Sequence, residues 1–328
     1  MKVLVTGAGS FLGSYISMEL SKRGIVPVAF VRKSTGGLPL NKINAEIIAG
    51  DITRMSDIER ALMGCDAIIH AAALTDHSVA SYRKFYEVNV QGSINIIDAA
   101  IKSGISRVVY ISTANTSGYG TLENPGSEND PPLPPYTTSY YVRSKIEAEK
   151  EILRRAEGTG VKVVIINPTF MMGAFDSKPT SGEAVLRGLK RDVILATRGG
   201  KSFVNASDVA VAACNALTMG SHGHRYLVTG TNMDFRQFYN ELARITGRKK
   251  RIIVLPSFLF LLAGILLQPL FIAGINIRIN FTNMRMICTR NYYAPGLAIK
   301  GLNTPSTRVS IGIGESVRWF RENGYCLS

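Results

Sequence analysis

The sequence predicts an α/β fold: a doubly wound parallel sheet followed by a smaller, mostly helical C-terminal lobe. Three observations support this prediction. Short apolar segments alternate with amphipathic helical patterns through the first half of the chain. A glycine-rich turn joins the first strand to the first helix. The alternation weakens after Pro168, and 328 residues are many for one compact core. Together these features are typical of a Rossmann-type sheet with an added lobe.

Six strands and four helices make up the alternation. The predicted strands cover residues 2–6, 26–31, 46–49, 67–70, 107–112 and 161–167. The predicted helices cover residues 11–23, 56–63, 82–102 and 138–157. A glycine follows each helix, as expected at helix ends. Strands that alternate with helices of this length favour a parallel sheet.

The domain division follows from where the alternation stops. We expect a cofactor-binding domain over residues 1–168, to which residues 203–230 return. Residues 169–202 and 231–328 would then form the substrate-binding lobe. No internal repeat is evident in the sequence.

The turn after the first strand reads TGAGSFLG. In such a turn, free backbone N–H groups and the helix dipole favour a pyrophosphate. The spacing fits GxxGxxG with Ser10 at the middle position, where glycine is commonest. The predicted cofactor-binding residues of this turn are Gly7, Gly9, Ser10, Phe11, Leu12 and Gly13.

The second strand ends in VAFVRKS, which places Arg32 and Lys33 just beyond it. An acidic residue here usually reads the 2′-hydroxyl of NAD(H), whereas arginine suits the 2′-phosphate of NADP(H). The sequence therefore favours NADP(H) over NAD(H).

Two further strand ends carry candidate cofactor contacts. The motif GDI places Asp51 and Ile52 after the third strand, where the carboxylate can accept a hydrogen bond from the adenine amino group. The motif HAAA follows the fourth strand, and the small side chains of Ala71, Ala72 and Ala73 allow the backbone to approach a cofactor. His70 is interpreted as a strand-end histidine without a chemical role.

The stretch SYYVRSK predicts the chemical site. Tyr141 and Lys145 are four residues apart and so share one helical face. A tyrosine can act as an acid or base near neutral pH when a nearby cation stabilises its anion. Thr113, just beyond the fifth strand, can offer its hydroxyl to the substrate oxygen, with Ser112 as a rival.

These motifs together resemble the extended short-chain dehydrogenase/reductase superfamily, in particular its dihydroflavonol-reductase-like branch. The similarity extends through NPTFMMG and FVNASDVA to WFRENGY near the C-terminus. It implies that Tyr141 exchanges the proton, that Lys145 lowers its pKa and holds the ribose, and that Thr113 orients the substrate oxygen. It further implies that Asn89 holds the backbone near the site and that Pro168 lies against the nicotinamide.

The resemblance leaves several functions open. The leading hypothesis is an NADP(H)-dependent oxidoreductase that reduces a carbonyl or oxidises an alcohol. Alternatives are a nucleotide-sugar epimerase with retained NAD, and a membrane-adjacent dehydrogenase of steroid or terpenoid type. A 4,6-dehydratase is disfavoured because Thr113 is followed by Ala114 and Asn115 instead of two acids. A non-catalytic NADP(H)-sensing or assembly protein is the alternative outside the enzymes.

The charge is concentrated in one region. Residues 235–300 contain ten Lys/Arg and one acid, and so hold nine of the fourteen excess positive charges. An anionic membrane surface or an acidic substrate would explain this better than nucleic acid, because no nucleic-acid-binding motif is present. The four cysteines are scattered, with no CxxC and no histidine at ligand spacing, so no metal site is expected. MKVLVTGAGS is unlike a signal peptide, which predicts a cytoplasmic protein.

An uncharged stretch runs from Ile252 to Ile277, directly after the basic run Arg248, Lys249, Lys250 and Arg251. Its length would suffice to cross a bilayer. Proline, glycine and glutamine interrupt it, so we expect two short helices divided at Gln268–Pro269. A transmembrane span is the least favoured placement. The others are a roof over the substrate pocket, a homodimer interface, or a hairpin that dips into one leaflet with the basic run on the headgroups.

Overall fold

The computed structural model describes residues 1–32 and 39–326. The strands of these residues are β1 (Lys2–Thr6), β2 (Val26–Val31), β3 (Glu46–Ala49), β4 (Ala67–His70), β5 (Arg107–Ile111), β6 (Lys162–Pro168), β7 (Phe170–Met172), β8 (Val193–Ala196), β9 (Gly200–Asn205), β10 (Arg225–Val228), β11 (Thr231–Asp234), β12 (Arg251–Val254) and β13 (Arg290–Asn291). The α-helices are α1 (Phe11–Lys22), α2 (Met55–Leu62), α3 (Tyr82–Phe85), α4 (Gly92–Lys102), α5 (Tyr140–Ala156), α6 (Gly182–Lys190), α7 (Ala206–Asn215), α8 (Phe235–Thr246), α9 (Ser257–Ile272), α10 (Phe281–Cys288), α11 (Ala298–Gly301) and α12 (Val309–Glu322).

Seven strands form one parallel sheet in the order β10–β6–β5–β4–β1–β2–β3. The predicted fold class is confirmed, and the first four strands have the predicted bounds. The helix predicted over 82–102 is divided, because the π-helical segment Tyr86–Gln91 joins α3 to α4. Such segments are frequent at functional sites, and this one contains Asn89.

Helices cover both faces of the sheet. Val3 and Val5 of β1 face the cluster that includes α1 and α7 residues, whereas Leu4 faces the cluster that includes α2 and α4 residues. All three side chains are fully buried. Burial on both faces explains why the central strands are continuous apolar runs instead of alternating ones.

The chain reverses its direction across the sheet between β3 and β4. From β1 it moves outward through β2 to β3, then returns to form β4 on the other side of β1. The connections at the carboxyl ends of β1 and β4 therefore diverge and leave a crevice, the usual ligand position in such sheets.

The second lobe contains strands as well as helices. Strands β7, β11 and β13 pair with β9, and β8 pairs with β12. In the segment 203–230, which was predicted to return to the first domain, β10 joins the main sheet and α7 packs on α1. Its first residues, Phe203 to Asn205, instead belong to β9 of the second sheet, because they pair with β7 and β11.

The predicted division of the apolar stretch at Gln268–Pro269 is wrong. Helix α9 runs without interruption from Ser257 to Ile272 and includes Pro269. Proline has no N–H to donate to the carbonyl of Ile265, one turn earlier, but the N–H of Ala273 still donates to the Pro269 carbonyl at 2.9 Å, so the helix continues through the proline. The chain turns after α9 instead and enters α10, which packs against it. Within residues 1–32 and 39–326, none of the helices has the length and apolarity required to span a bilayer.

Helix α12 holds the second lobe together through Phe320, which is fully buried against Gly182 and Tyr325. We expect Phe320→Ala to lower the free energy of unfolding by about 3–5 kcal/mol, because it leaves a cavity among packed aromatic rings. Urea unfolding followed by circular dichroism measures this loss. Arg318→Ala, an exposed change in the same helix, should cost far less. Equal losses in the two variants would contradict the assigned role of Phe320.

Candidate active site

A chain of hydrogen bonds closes the base of the crevice. The backbone N–H of Ala72 donates to Thr6 Oγ1 at 3.1 Å, and Thr6 Oγ1 lies 2.6 Å from His70 Nδ1. His70 Nε2 lies 3.0 Å from Ser93 Oγ, which donates to the carbonyl of Asn89. This sequence of donors and acceptors is satisfied by a neutral His70 that accepts a hydrogen bond at Nδ1 and donates one at Nε2. Burial also lowers the pKa of His70, to about 3. His70 therefore fastens β4 to β1 and α4.

The glycine-rich turn packs against the loop after β4, next to this hydrogen-bond network. Gly7 adopts a positive φ of 67°, and a Cβ there would come within 2.8 Å of the Ala72 Cα. A Cβ on Gly13 would come within 2.0 Å of the Gly7 carbonyl oxygen, so α1 approaches the turn closely. Ser10 caps α1 by accepting from the N–H of Gly13. The free N–H groups of the first helical turn remain available, and the cradle fits a pyrophosphate.

The strand ends beside the turn hold the candidates for the adenosine end. Arg32 is exposed immediately after β2, and Lys33 lies outside the described residues. The Asp51 carboxylate accepts from the N–H and the hydroxyl of Thr53, which fixes its orientation after β3. Ile52 is buried in the core and can offer only its backbone to a ligand.

Asn89 joins the loop after β4 to the helix that carries the candidate tyrosine. Its side chain exchanges hydrogen bonds with the backbone N–H and carbonyl of Leu74, directly after Ala71–Ala73. It also donates to Ser144 Oγ, which in turn donates to the carbonyl of Tyr141. The geometry is that of a residue that positions two backbone segments.

Tyr141 and Thr113 come together at the carboxyl end of the sheet. Burial raises the pKa of Tyr141 to about 12, and the Thr113 hydroxyl acts in the opposite direction by stabilising the phenolate. The Ser112 hydroxyl is turned away, because it hydrogen bonds to the buried carboxylate of Glu149. Of the two rivals, Thr113 is thus the one placed beside Tyr141.

Lys145 lies one helical turn after Tyr141 and is almost fully buried. Its Nζ donates to the Ile111 carbonyl at 2.7 Å and lies 4.1 Å from the centre of the Tyr110 ring. Burial lowers the pKa of Lys145 to about 7, and the negative charge of Glu149 partly opposes this. Burial therefore favours the neutral form of both Tyr141 and Lys145.

Glu149 is a functional candidate that the sequence reasoning missed. Its carboxylate is fully buried, and it accepts from Ser112, from Thr116 at 2.9 Å and from Arg225 of β10 at 2.7 Å. Asn167 also approaches it, at 3.3 Å. One signal was available: Glu149 is four residues after Lys145, so both lie on one face of α5.

The end of β6 completes this group. Asn167 Nδ2 donates to the Thr113 carbonyl at 3.0 Å and so fixes the backbone of the candidate threonine. Pro168 is the next residue; it is buried at the end of β6, beside Val228 of β10. The structure thus brings the predicted residues of β5, β6 and α5 together at the carboxyl end of the sheet.

The loop after β4 and strand β9 contribute polar side chains that the sequence did not indicate. The His77 ring packs edge-on against Tyr141 with ring centres 5.4 Å apart, and burial lowers the pKa of His77 to about 4. Lys201 of β9 donates to Tyr136 Oη and, at 3.0 Å, to the Met286 carbonyl. Burial lowers the pKa of Lys201 to about 7. Only folding brings the His77 ring against Tyr141 and the charge of Lys201 near His77, so no local motif reveals these residues.

Comparison with known proteins identifies the family and agrees with the fold. The model of the NAD dependent epimerase/dehydratase family matches residues 3–229. That range includes the glycine-rich turn, the loop after β4, and the residues Thr113, Tyr141, Lys145 and Glu149.

Full-length relatives carry different activities in their names. A candidate dihydroflavonol 4-reductase of Synechocystis sp. is 28% identical over 98% of this chain and 95% of its own length. Sterol demethylase protein B of Methylococcus capsulatus is 28% identical over 99% of both. The crystal structure of UDP-glucose 4-epimerase from Thermotoga maritima, with UDP-glucose, is 21% identical and superposes with a TM-score of 0.79 over 98% of this chain and 99% of that one. At this identity the last similarity shows the fold alone.

The Glu149 carboxylate opposes the effect of burial on Lys145, so removing its charge should lower the pKa of Lys145 below about 7. Glu149→Gln keeps the size of the side chain and tests this. NMR titration of isotope-labelled lysine side chains measures the pKa, with Lys145→Met to assign the signal. Glu151→Gln, in the same helix but paired with Arg154, should leave the value unchanged. An unaltered Lys145 pKa in folded Glu149→Gln would contradict the prediction.

Proposed function

Because the chain belongs to the NAD dependent epimerase/dehydratase family, we propose that it is an NADP(H)-dependent oxidoreductase. It reduces a carbonyl group, or oxidises the corresponding alcohol, by hydride transfer at the site formed by Thr113, Tyr141 and Lys145. The extended short-chain dehydrogenase/reductase family includes oxidoreductases, epimerases and dehydratases. Membership alone therefore does not select the reaction, and we argue the choice from the residues of the site.

The observation that carries the proposal is the protonated, buried Tyr141 beside Thr113. When bound, the cofactor supplies a hydride to the carbonyl carbon. The carbonyl oxygen then gains an electron pair and becomes an alkoxide, a stronger base than the phenolate. Tyr141 donates its proton to that oxygen, and Thr113 orients it by a hydrogen bond. A tyrosine with a raised pKa is thus suited to reduction.

Lys145 acts after the proton has left. The tyrosinate formed in a buried site needs a nearby positive charge, and Lys145 lies one helical turn away. Its ammonium is held by the Ile111 carbonyl and by the field of Glu149. The lysine therefore stabilises the product form of the tyrosine, and its own charge depends on the carboxylate behind it.

The proposed cofactor preference rests on Arg32, the exposed residue directly after β2. A 2′-phosphate at the end of β2 would meet its guanidinium, whereas a 2′-hydroxyl would gain little from it. Lys33 would add to this charge.

Two features support an apolar substrate and work at a membrane surface. One full-length relative has a sterol in its name. In addition, helix α9 of the substrate lobe exposes large apolar side chains, among them Phe258, Leu266 and Ile272. A membrane-adjacent reductase of apolar carbonyl compounds would use both.

We expect Tyr141→Phe to lower kcat/KM by about 100-fold or more, because the proton donor is removed. The measurement is NADPH oxidation with panels of ketones, aldehydes and nucleotide sugars, with and without lipid. Tyr140→Phe is the matched control, since the Tyr140 ring packs against Tyr82 and not at the site.

Two outcomes would identify an alternative function, and a third would contradict the assigned proton donor. Isolation with tightly held NAD, and turnover of a nucleotide sugar without net oxidation of added NADPH, would identify an epimerase. A biological role that survives Tyr141→Phe undiminished would identify a sensor or assembly protein. Equal loss of activity in Tyr140→Phe and Tyr141→Phe would contradict the assigned proton donor.

Arg32→Ser should reduce kcat/KM for NADPH by about 10- to 100-fold while that for NADH stays nearly unchanged, because one charge-assisted hydrogen bond is lost. Steady-state kinetics with both cofactors measure the ratio. Arg54→Ser, an exposed change just after the β3 end, is the control. A parallel fall for both cofactors would show that Arg32 does not select between them.

A further inference from the structure

Helix α9 has its apolar side turned outward. Its most exposed large side chains are all apolar and are 40–73% accessible: Phe258, Leu259, Leu262, Ile265, Leu266, Leu270 and Ile272. At 3.6 residues per turn these positions fall within about half of the helix circumference. An exposed apolar face of this size on a folded protein usually marks an interaction surface.

The inner side of the same helix is already occupied. Gly264 is the buried residue of α9, and a Cβ there would come within 2.9 Å of Met284 and 3.0 Å of Phe281 of α10. The half-buried Gln268 side chain turns toward α10, where it accepts the N–H of Phe281. The helix therefore directs its one amide side chain toward α10 and its large hydrocarbon side chains toward the outside, the reverse of a helix that faces water.

Basic residues are concentrated in the chain segments that precede and follow this helix. Residues 242–314 contain ten Lys/Arg and no Asp or Glu. Lys250 and Arg278 lie beside acids from elsewhere in the chain, Asp192 and Glu183. Arg248, Lys249 and Arg251, which precede α9, are exposed. The exposed basic residues that precede α9 thus complement a negatively charged partner.

We propose that the exposed side of α9 binds the surface of an anionic lipid bilayer, with the helix lying in the plane of the interface. Sixteen residues of α-helix are about 24 Å long, which suits a helix that lies flat. Basic residues and apolar side chains together are the combination that interfacial helices use. A second copy of the chain fits less well, since symmetric contact would oppose two basic, acid-free segments.

A groove opens on the same face. Its volume is about 770 Å³, and it is lined mainly by apolar residues, among them Ile265, Ile272 and Phe281, with Gln268 and Thr282 as its polar members. The three named apolar side chains are also exposed. The apolar surface and the groove are therefore continuous, and a hydrocarbon chain of the bilayer can enter it. Under the proposed function, which this route for the substrate rests on, an apolar substrate would reach the protein from the lipid bilayer. The membrane contact itself does not depend on that function.

Sedimentation with vesicles tests the contact without any substrate. The intact protein should bind vesicles that contain phosphatidylserine, and binding to pure phosphatidylcholine should be weaker. The double variant Leu266→Asp/Ile272→Asp should lower binding by more than about tenfold. The triple variant Arg248→Gln/Lys249→Gln/Arg251→Gln should lower binding to anionic vesicles by up to about fivefold for each residue.

Matched controls distinguish vesicle binding by this surface from non-specific binding of the protein to vesicles. Met63→Asp changes an equally exposed apolar residue, at 70% accessibility, on the cofactor-binding side. Arg54→Gln/Lys84→Gln/Lys162→Gln removes the same charge from other exposed positions. Both controls should bind vesicles like the unaltered protein, and NADPH binding should be retained in every variant.

Two results would overturn the proposal. One is no binding of the folded, NADPH-binding protein to anionic vesicles. The other is a dimer in solution that Leu266→Asp/Ile272→Asp converts to a monomer, without vesicle binding by either form, which would assign the face to a second copy. Since sedimentation and NADPH binding require no turnover, failure here and failure of the proposed reaction are distinguishable.

Discussion

The divergence of the chain on either side of β1 is the constraint on which the other parts of the site depend. It opens a crevice in an otherwise buried sheet, and the crevice persists because Thr6 and His70 fasten the two strand ends together. A neutral histidine can do this, whereas a charged one would have to be solvated in a fully buried position. The turn, the loop after β4 and the helix that bears Tyr141 are all placed relative to these two ends.

Burial sets the electrostatics of the candidate site. Tyr141 and Lys145 are both removed from water, so each favours its neutral form until a partner compensates for the lost solvation. Glu149 supplies that compensation for the lysine, and Arg225 of β10 supplies it for Glu149. The reactive pair is thus connected to the edge of the main sheet through a chain of opposite charges and hydrogen bonds.

Much of the fold was predictable because buried parallel strands are continuous apolar runs with glycines at the helix ends. The pairing of Tyr141 with Lys145 was predictable for a similar reason, since four residues span one helical turn. Glu149 was missed because a glutamate in a charged helix suggests a solvated face. Only folding places β10 and Arg225 against it. For α9, hydropathy indicated an apolar helix, but an apolar residue in a sequence does not reveal whether protein or another phase covers it.

The outward apolar side of α9 has a consequence for how such an enzyme would be assayed. A protein held at an interface samples a substrate dissolved in lipid in two dimensions. The relevant concentration is then the mole fraction of substrate in the lipid, not its amount per volume of buffer. Adding inert lipid would slow the reaction at constant total substrate, and the rate measured in detergent would depend on the number of micelles.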